Sequence, residues 1–180
     1  MWPRFFHMYK AIKFKEFYYA AHAKRVETLC LIYSMAVSTV SIGSVVVWSI
    51  SKTAPTCWAI IIAAAQFAQV LMTQLPWYKQ KTALAYLLPE LKKLSLEIDR
   101  DYMKALNSGL DDDQMLELIS KYERAFADLE NQFVQDIIFN EIKSITNTAE
   151  ADMKAYFNSK YPEDSTVLKG GESNGRQSSG

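Results

Sequence analysis

The sequence predicts an all-α membrane protein: an N-terminal interfacial helix, a two-helix transmembrane hairpin and a long cytosolic antiparallel helical domain. Three observations carry this expectation. Between Glu27 and Lys79 the only charged residue is Lys52, which leaves two long uncharged stretches, 28–51 and 53–78. Ahead of them lies a segment dense in aromatic and basic residues. Beyond them apolar residues recur every three or four positions, the period of an amphipathic helix. The boundaries accordingly fall at 1–27, 28–78, 79–161 and, for a polar tail, 162–180.

The first segment interleaves Trp2, Phe5, Phe6, Tyr9, Phe14, Phe17, Tyr18 and Tyr19 with Lys and Arg. That mixture suits a helix at the headgroup level of a bilayer, aromatics inward and cations toward anionic lipid. Aromatics among basic residues also suit single-stranded nucleic acid, but direct fusion to an apolar run favours the membrane. His7 and His22 stand fifteen positions apart without acidic or cysteine partners, a poor metal site.

A hydrocarbon core of ~30 Å needs roughly 20 apolar residues in a helix, and both uncharged runs reach that length. The joint between them, "SISKTAPTC", places Pro55 in the first turn of the second helix, where its missing N–H costs nothing, with Thr53 as a cap. Arg4, Lys10, Lys13, Lys15, Lys24 and Arg25 precede the spans, and Lys79 and Lys81 follow them, against Lys52 alone in the joint. The asymmetry of Lys and Arg puts both termini in the cytoplasm. The first run starts too late and is too long for a cleavable leader, so it reads as a retained anchor. Cys30 and Cys57 begin the two spans near opposite leaflets, beyond the ~7 Å reach of a disulfide.

In the cytosolic part Leu84, Leu87, Leu91, Leu94, Ile98 and Tyr102 form one helical face, with Pro89 predicting a kink or break. Gly109 is the expected C-cap, and Asp111, Asp112 and Asp113 supply a cap and a negative first turn for the next helix. There Met115, Ile119, Tyr122, Phe126, Leu129, Phe133 and Ile137 keep a near-heptad spacing. This helix is expected to be the longest, running to about Thr146, some 50 Å, and to fold back on the one before it. Its seam, Tyr122, Phe126, Leu129 and Phe133, packs either within one subunit or between subunits. A short final helix is expected around "TAEADMKAYFNSKY". Residues 162–180, polar and rich in Gly and Ser, are expected to be disordered.

Residues 107–164 carry thirteen acidic residues against five basic ones, which argues against duplex nucleic acid as a partner. The basic group after the spans, Lys79, Lys81, Lys92 and Lys93, suits lipid headgroups or an anionic ligand. There is no Gly-rich phosphate loop, metal-ligand signature or nucleophile motif, and Asp99 and Asp101, at i and i+2 on a helix, do not face one another. The chain reads as a non-enzyme without cofactor or metal.

Function therefore rests on polar stripes within the spans. At 100° per residue, Gln66, Gln69 and Thr73 fall within an arc of about 60°, continued by Ala59. Ser34, Ser38 and Ser41 form an equally narrow arc on the first span. Lipid tails offer no hydrogen bonds, so such stripes face protein or water. Small polar residues can join helices, and glutamines contributed by several subunits can line a pore. The expectation is a division: serines at helix contacts, glutamines toward water in a homo-oligomer, since two spans cannot enclose a water path.

The basic aromatic helix ("FYYAAHAKRVETL"), the tight two-span hairpin and the long helices directly after it ("WYKQKTALAYLLPELKKL") resemble the SLATT domain, bacterial two-transmembrane effectors of nucleotide-based antiphage defence. The resemblance covers about residues 5–145, in architecture and residue character rather than in a sharp motif. It implies an oligomeric effector in the bacterial inner membrane that permeabilises the bilayer. It further implies control by a partner protein or by a nucleotide or nucleotide-oligomer signal from a neighbouring nucleotidyltransferase. The alternative is a non-pore anchor or scaffold whose cytosolic helices recruit a partner; a phage holin is a third reading.

Overall fold

The computed structural model describes residues 2–51, 55–72, 74–108, 110–135, 137, 139 and 142–161. Its described elements are five helices: α1 (Trp2–Ser51), α2 (Pro55–Met72), α3 (Pro76–Ser108), α4 (Asp112–Val134) and α5 (Lys143–Lys160). The expected all-α class holds. Lys52, Thr53, Thr73, Gly109 and the tail after Tyr161 lie outside the described residues.

α1 is a single helix of 50 residues, about 75 Å long at 1.5 Å per residue. The stretch leading from its aromatic to its apolar part contains Ala20, Ala21 and Ala23 and neither Gly nor Pro, so nothing local ends the helix. The 1–27 segment is therefore no separate element. Nor do its aromatics turn to lipid: Phe5 and Tyr9 are fully buried, and Ile12 and Tyr19 nearly so, in one core with Leu87, Leu91, Ile98 and Tyr102 of α3 and Phe157 of α5. Protein removes these side chains from water as well as a bilayer would, and it also partners their polar ends. Tyr19 donates to Glu130 at 2.5 Å.

The register between elements follows from paired side chains. Phe5 packs on Tyr102, Tyr9 bonds Asp99 and Lys13 bonds Ser95, so α1 and α3 run antiparallel. Tyr122 donates to Asp101 at 2.6 Å and Tyr86 stacks on Phe133, which makes α3 and α4 the expected antiparallel pair. α5 lies antiparallel along α1, with Phe157 against Tyr9 and the residues before α5, at Phe139, against Tyr19 and His22.

Three expectations about helix length are corrected. α3 continues through Pro89 without a break. Pro89 and Ala85, whose carbonyl loses its partner, are both exposed, so water meets the freed group. Leu84, Leu87 and Leu91 are each fully buried, at about 1.5–3 kcal/mol apiece, which together outweighs the ~3 kcal/mol of an internal proline. α4 ends at Val134 after 23 residues and is not the longest helix; α1 is. α5 has 18 residues and is as much part of the core as α4, through Ile145, Ala149 and Phe157. One continuous helix to Thr146 would carry Phe157 away from α1, and the contact with Tyr9 decides against it. Finally, α2 stops at Met72, and α3 starts anew at Pro76 after a turn in which the Gln74 amide donates to the Leu71 carbonyl. Thr56–Leu71 and Pro76–Asn107 are bent by 41°.

Pro55 opens α2 as expected, while the expected caps Thr53 and Gly109 lie outside the described residues. Asp111 caps α4, accepting from the Asp112 amide at 2.8 Å while Gln114 reaches back to the Asp111 amide, with Asp112 and Asp113 in the first turn.

The two faces of α3 differ enough for a stability test. Ile98 is 0% exposed and Leu96 57%. Ile98→Ala should cost about 2–5 kcal/mol, and Leu96→Ala less than about 0.5 kcal/mol, measured by thermal or denaturant unfolding in detergent.

Candidate functional site in the apolar hairpin and its polar brace

Beyond the helical bundle, the second half of α1 packs on α2 and, at Tyr33, on Trp77 at the start of α3. On α1 the covered positions Cys30, Tyr33, Ser34, Val37, Ser38 and Ser41 fall on one helical face. On α2 the covered positions are Trp58, Ile62, Ala65 and Ala68. The serine stripe thus lies on the face of α1 that is shielded, where small side chains allow close approach. The hydrogen bond between the helices is made by Tyr33, whose hydroxyl donates to the Ala68 carbonyl at 3.0 Å. Ser41 donates to Val37 of its own helix at 3.0 Å.

Gln66, Gln69 and Ala59 are exposed; Thr73, the fourth member of that stripe, lies outside the described residues. Around the glutamines the surface is aliphatic and aromatic: Ile42 is 66% exposed, Phe67 64% and Val70 69%, with Leu31, Ile32 and Met35 of α1 similarly bare. Trp2–Gly43 is long and apolar enough to cross a bilayer, and only 11% of its most apolar stretch is buried. A buried helix of a water-soluble core is covered instead. Cys30 is buried and Cys57 exposed, both as free thiols.

The hairpin is braced by a polar cluster on the inner side of α1. Asp99 accepts from Tyr9 at 2.8 Å, from Tyr161 at 2.9 Å and from Lys160. Tyr9 and Tyr156 hydroxyls meet at 3.1 Å. One turn further on, Lys13, 6% exposed, donates to Glu16 at 2.8 Å and to Ser95 at 3.0 Å and sits 4.3 Å over the Tyr156 ring. Burial opposes ionisation of Asp99, but the bonds from Lys160, Tyr9 and Tyr161 outweigh it and hold the carboxyl below its ordinary range. Burial, then bonding to Tyr156 and Asp99, pushes the Tyr9 hydroxyl far above its ordinary value. Burial also disfavours the charge on Lys160, yet its bonds to Asp99 and Tyr156 prevail and raise it. Asp101 is lowered, first by the Tyr122 hydroxyl. Asp99 and Asp101 thus face different helices, as their spacing requires.

The other expected residues fall elsewhere. Lys79, Lys81, Lys92 and Lys93 are all exposed, but they form two pairs about 20 Å apart along α3 rather than one cluster. Lys92 and Lys93 border a shallow groove with Pro89, Leu96, Glu97 and Arg100. In the α4 seam Tyr122 is fully buried against its own subunit, while Phe126, Leu129 and Phe133 are half-buried on the same core. Among the described residues no group of His, Cys, Asp and Glu is placed to hold a metal. The Tyr9–Lys13–Asp99–Lys160 cluster was not foreseen; its signal was the polar pair Ser95 and Asp99, at i and i+4 beside the apolar face of α3. No family model, no curated protein and no solved structure matches the chain.

Asp99 links α3 to α1 and α5, and its side chain is 14% exposed. Asp99→Asn should cost about 1.5–3 kcal/mol near neutral pH, the range for bonds to a charged group. Because the folded carboxyl is lowered, its contribution is present above its ordinary range and is lost as pH falls through the folded value. The gap between wild type and variant should therefore close between about pH 5 and pH 2, as followed by circular dichroism during unfolding. An unchanged gap in that window would show that the carboxylate charge does not hold the brace.

Proposed function

We propose that the chain is an oligomeric membrane pore that permeabilises the bacterial inner membrane in antiphage defence, gated through its cytosolic helices by a partner or nucleotide signal. The observation that carries the pore is the exposed stripe of Gln66 and Gln69 inside an otherwise apolar, uncovered surface. Bare aliphatic side chains on this scale are stable in lipid and not in water. Amides in that surface need hydrogen-bonding partners that lipid tails lack, and Gln66 and Gln69 both stand exposed on the single chain. Copies of the chain set around an axis would present the glutamines to a shared water path and the aliphatic side chains to lipid. The second uncharged run, 53–78, crosses as α2 together with the turn after it, and the charge asymmetry keeps both termini inside. The defence role and the nucleotide signal rest on the resemblance to SLATT effectors alone.

A membrane anchor that recruits a cytosolic partner is the second reading. It is favoured by Leu96, Met103 and Leu106, which lie exposed along one side of α3.

Two measurements test these readings. In a chain with Cys30 and Cys57 replaced by alanine, Lys52→Cys should react with a membrane-impermeant maleimide from outside the cell. Lys104→Cys, at a side chain 67% exposed, should react only after permeabilisation. The opposite pattern would overturn the topology and with it cytosolic gating.

Replacing Gln66 and Gln69 together by leucine keeps side-chain size and helix propensity but dries a constriction. Ion flux into liposomes should fall to near background, with weak charge selectivity in the wild type because no charged ring fixes the sign. Oligomer size on the same sample should stay unchanged. Loss of the oligomer would identify the glutamines as contacts between helices, and unchanged flux with an intact oligomer would remove them from both roles.

A further inference from the structure

Where the cytosolic bundle meets the hairpin, α1, the start of α3 and the approach to α5 leave a cleft of about 230 Å³, bordered by His22, Arg25, Trp77, Gln80 and Ile142. That is an order of magnitude more than the ~15 Å³ needed to lodge one water. Two polar atoms in its wall, His22 Nε2 and Trp77 Nε1, are buried with no hydrogen-bond partner in the protein, although buried polar groups are nearly always paired. His22 is 4% exposed and is held edge-on by Tyr18 and Phe139, so its ring orientation is set by packing.

Apart from Gln80, whose amide can donate or accept, the polar side chains of the wall can all donate. An indole N–H only donates, and a guanidinium carries five donors and no acceptor. Burial, followed by the nearby Arg25 charge, lowers the His22 pKa, and a neutral imidazole donates from Nε2 in one of its two tautomers. Among the described residues no carboxylate borders the cleft. Donors converging from two helices, one of them a permanent cation, match an anion with several acceptor oxygens.

We propose that this cleft binds a phosphate group, carried either by a soluble phosphate ester or by the headgroup of a phospholipid. Exposed Leu29 on its rim sets it at the cytosolic edge of the apolar surface, within reach of both sources. A bound phosphate would bridge α1 to the first turn of α3, directly beyond the bend that joins α2 to α3. Occupancy would therefore bias the angle at which the hairpin leaves the bundle. That regulatory consequence rests on the pore reading, whereas binding does not.

The test is calorimetric titration of the full chain in a phosphate-free maltoside detergent, with inorganic phosphate in one arm and dihexanoyl phosphatidic acid below its micellar concentration in the other. Saturable one-site binding is expected in at least one arm. Binding of inorganic phosphate identifies a soluble ligand; binding of the lipid alone identifies a headgroup. Arg25→Gln changes an exposed side chain, and Trp77→Phe keeps an aromatic ring while removing the indole N–H together with its five-membered ring; each should weaken binding at least tenfold while circular dichroism stays unchanged. No saturable binding in either arm, equal affinity in both variants, or acetate binding as tightly as phosphate would each overturn the proposal. Ion flux is not part of the readout, so a chain that binds phosphate but conducts nothing would refute the pore and leave the site standing.

Discussion

The continuity of α1 is the constraint on which the rest of the molecule depends. A single hydrogen-bonded rod carries Phe5, Tyr9, Lys13 and Tyr19 into the bundle core and, without a joint, Tyr33, Ser34 and Ser38 into the hairpin. Because the backbone ladder does not bend freely, a tilt or rotation of one half is a tilt or rotation of the other. α2 and α3, by contrast, meet at a break, so movement between hairpin and bundle must concentrate there. The fold therefore has one stiff connection and one hinge between the same two parts.

Within the bundle, packing and polar pairing divide the work. The aromatic layer of Phe5, Phe6, Tyr9, Tyr102, Phe157 and Tyr161 supplies the buried area. Such a layer by itself tolerates sliding of one helix along another. Lys13 and Asp99 do not: each is largely withdrawn from water and is stable only opposite its own partners, since a buried charge left alone costs several kcal/mol. A slip of one turn would strand both. The cluster thus specifies register along α1, α3 and α5, and through the rigid α1 it also specifies how high the hairpin stands above the bundle.

The hairpin obeys a different rule. Among the described residues its two helices meet through the Tyr33 hydrogen bond to Ala68 and a strip of small or medium side chains, and much of the remaining described surface is bare hydrocarbon. Gln66 and Gln69 are exposed within that surface, so the polar groups of greatest functional interest are those the single chain leaves uncovered.

Helical content, the uncharged lengths and the helix starts at Pro55 and Asp111 were determined by the sequence alone, because each is a local property. A run without charge has a countable length, proline fixes φ, and an aspartate cap bonds amides within its own turn. The antiparallel pairing of α3 and α4 was legible for a similar reason: a short stop at residues 107–111 leaves few ways to return. Tertiary structure decided what periodicity cannot name, the partner of each apolar face. The same aromatic and basic pattern at 1–27 is satisfied by a headgroup layer or by a protein core, and only the fit of Phe5, Tyr9 and Lys13 to α3 and α5 selects the core. The apolar spacing of α4 runs past Val134, yet the helix stops there and the chain returns to set Phe157 of α5 against Tyr9. Lys79 and Lys93 look like neighbours in a short basic stretch but stand far apart, since α3 continues as one helix through Pro89.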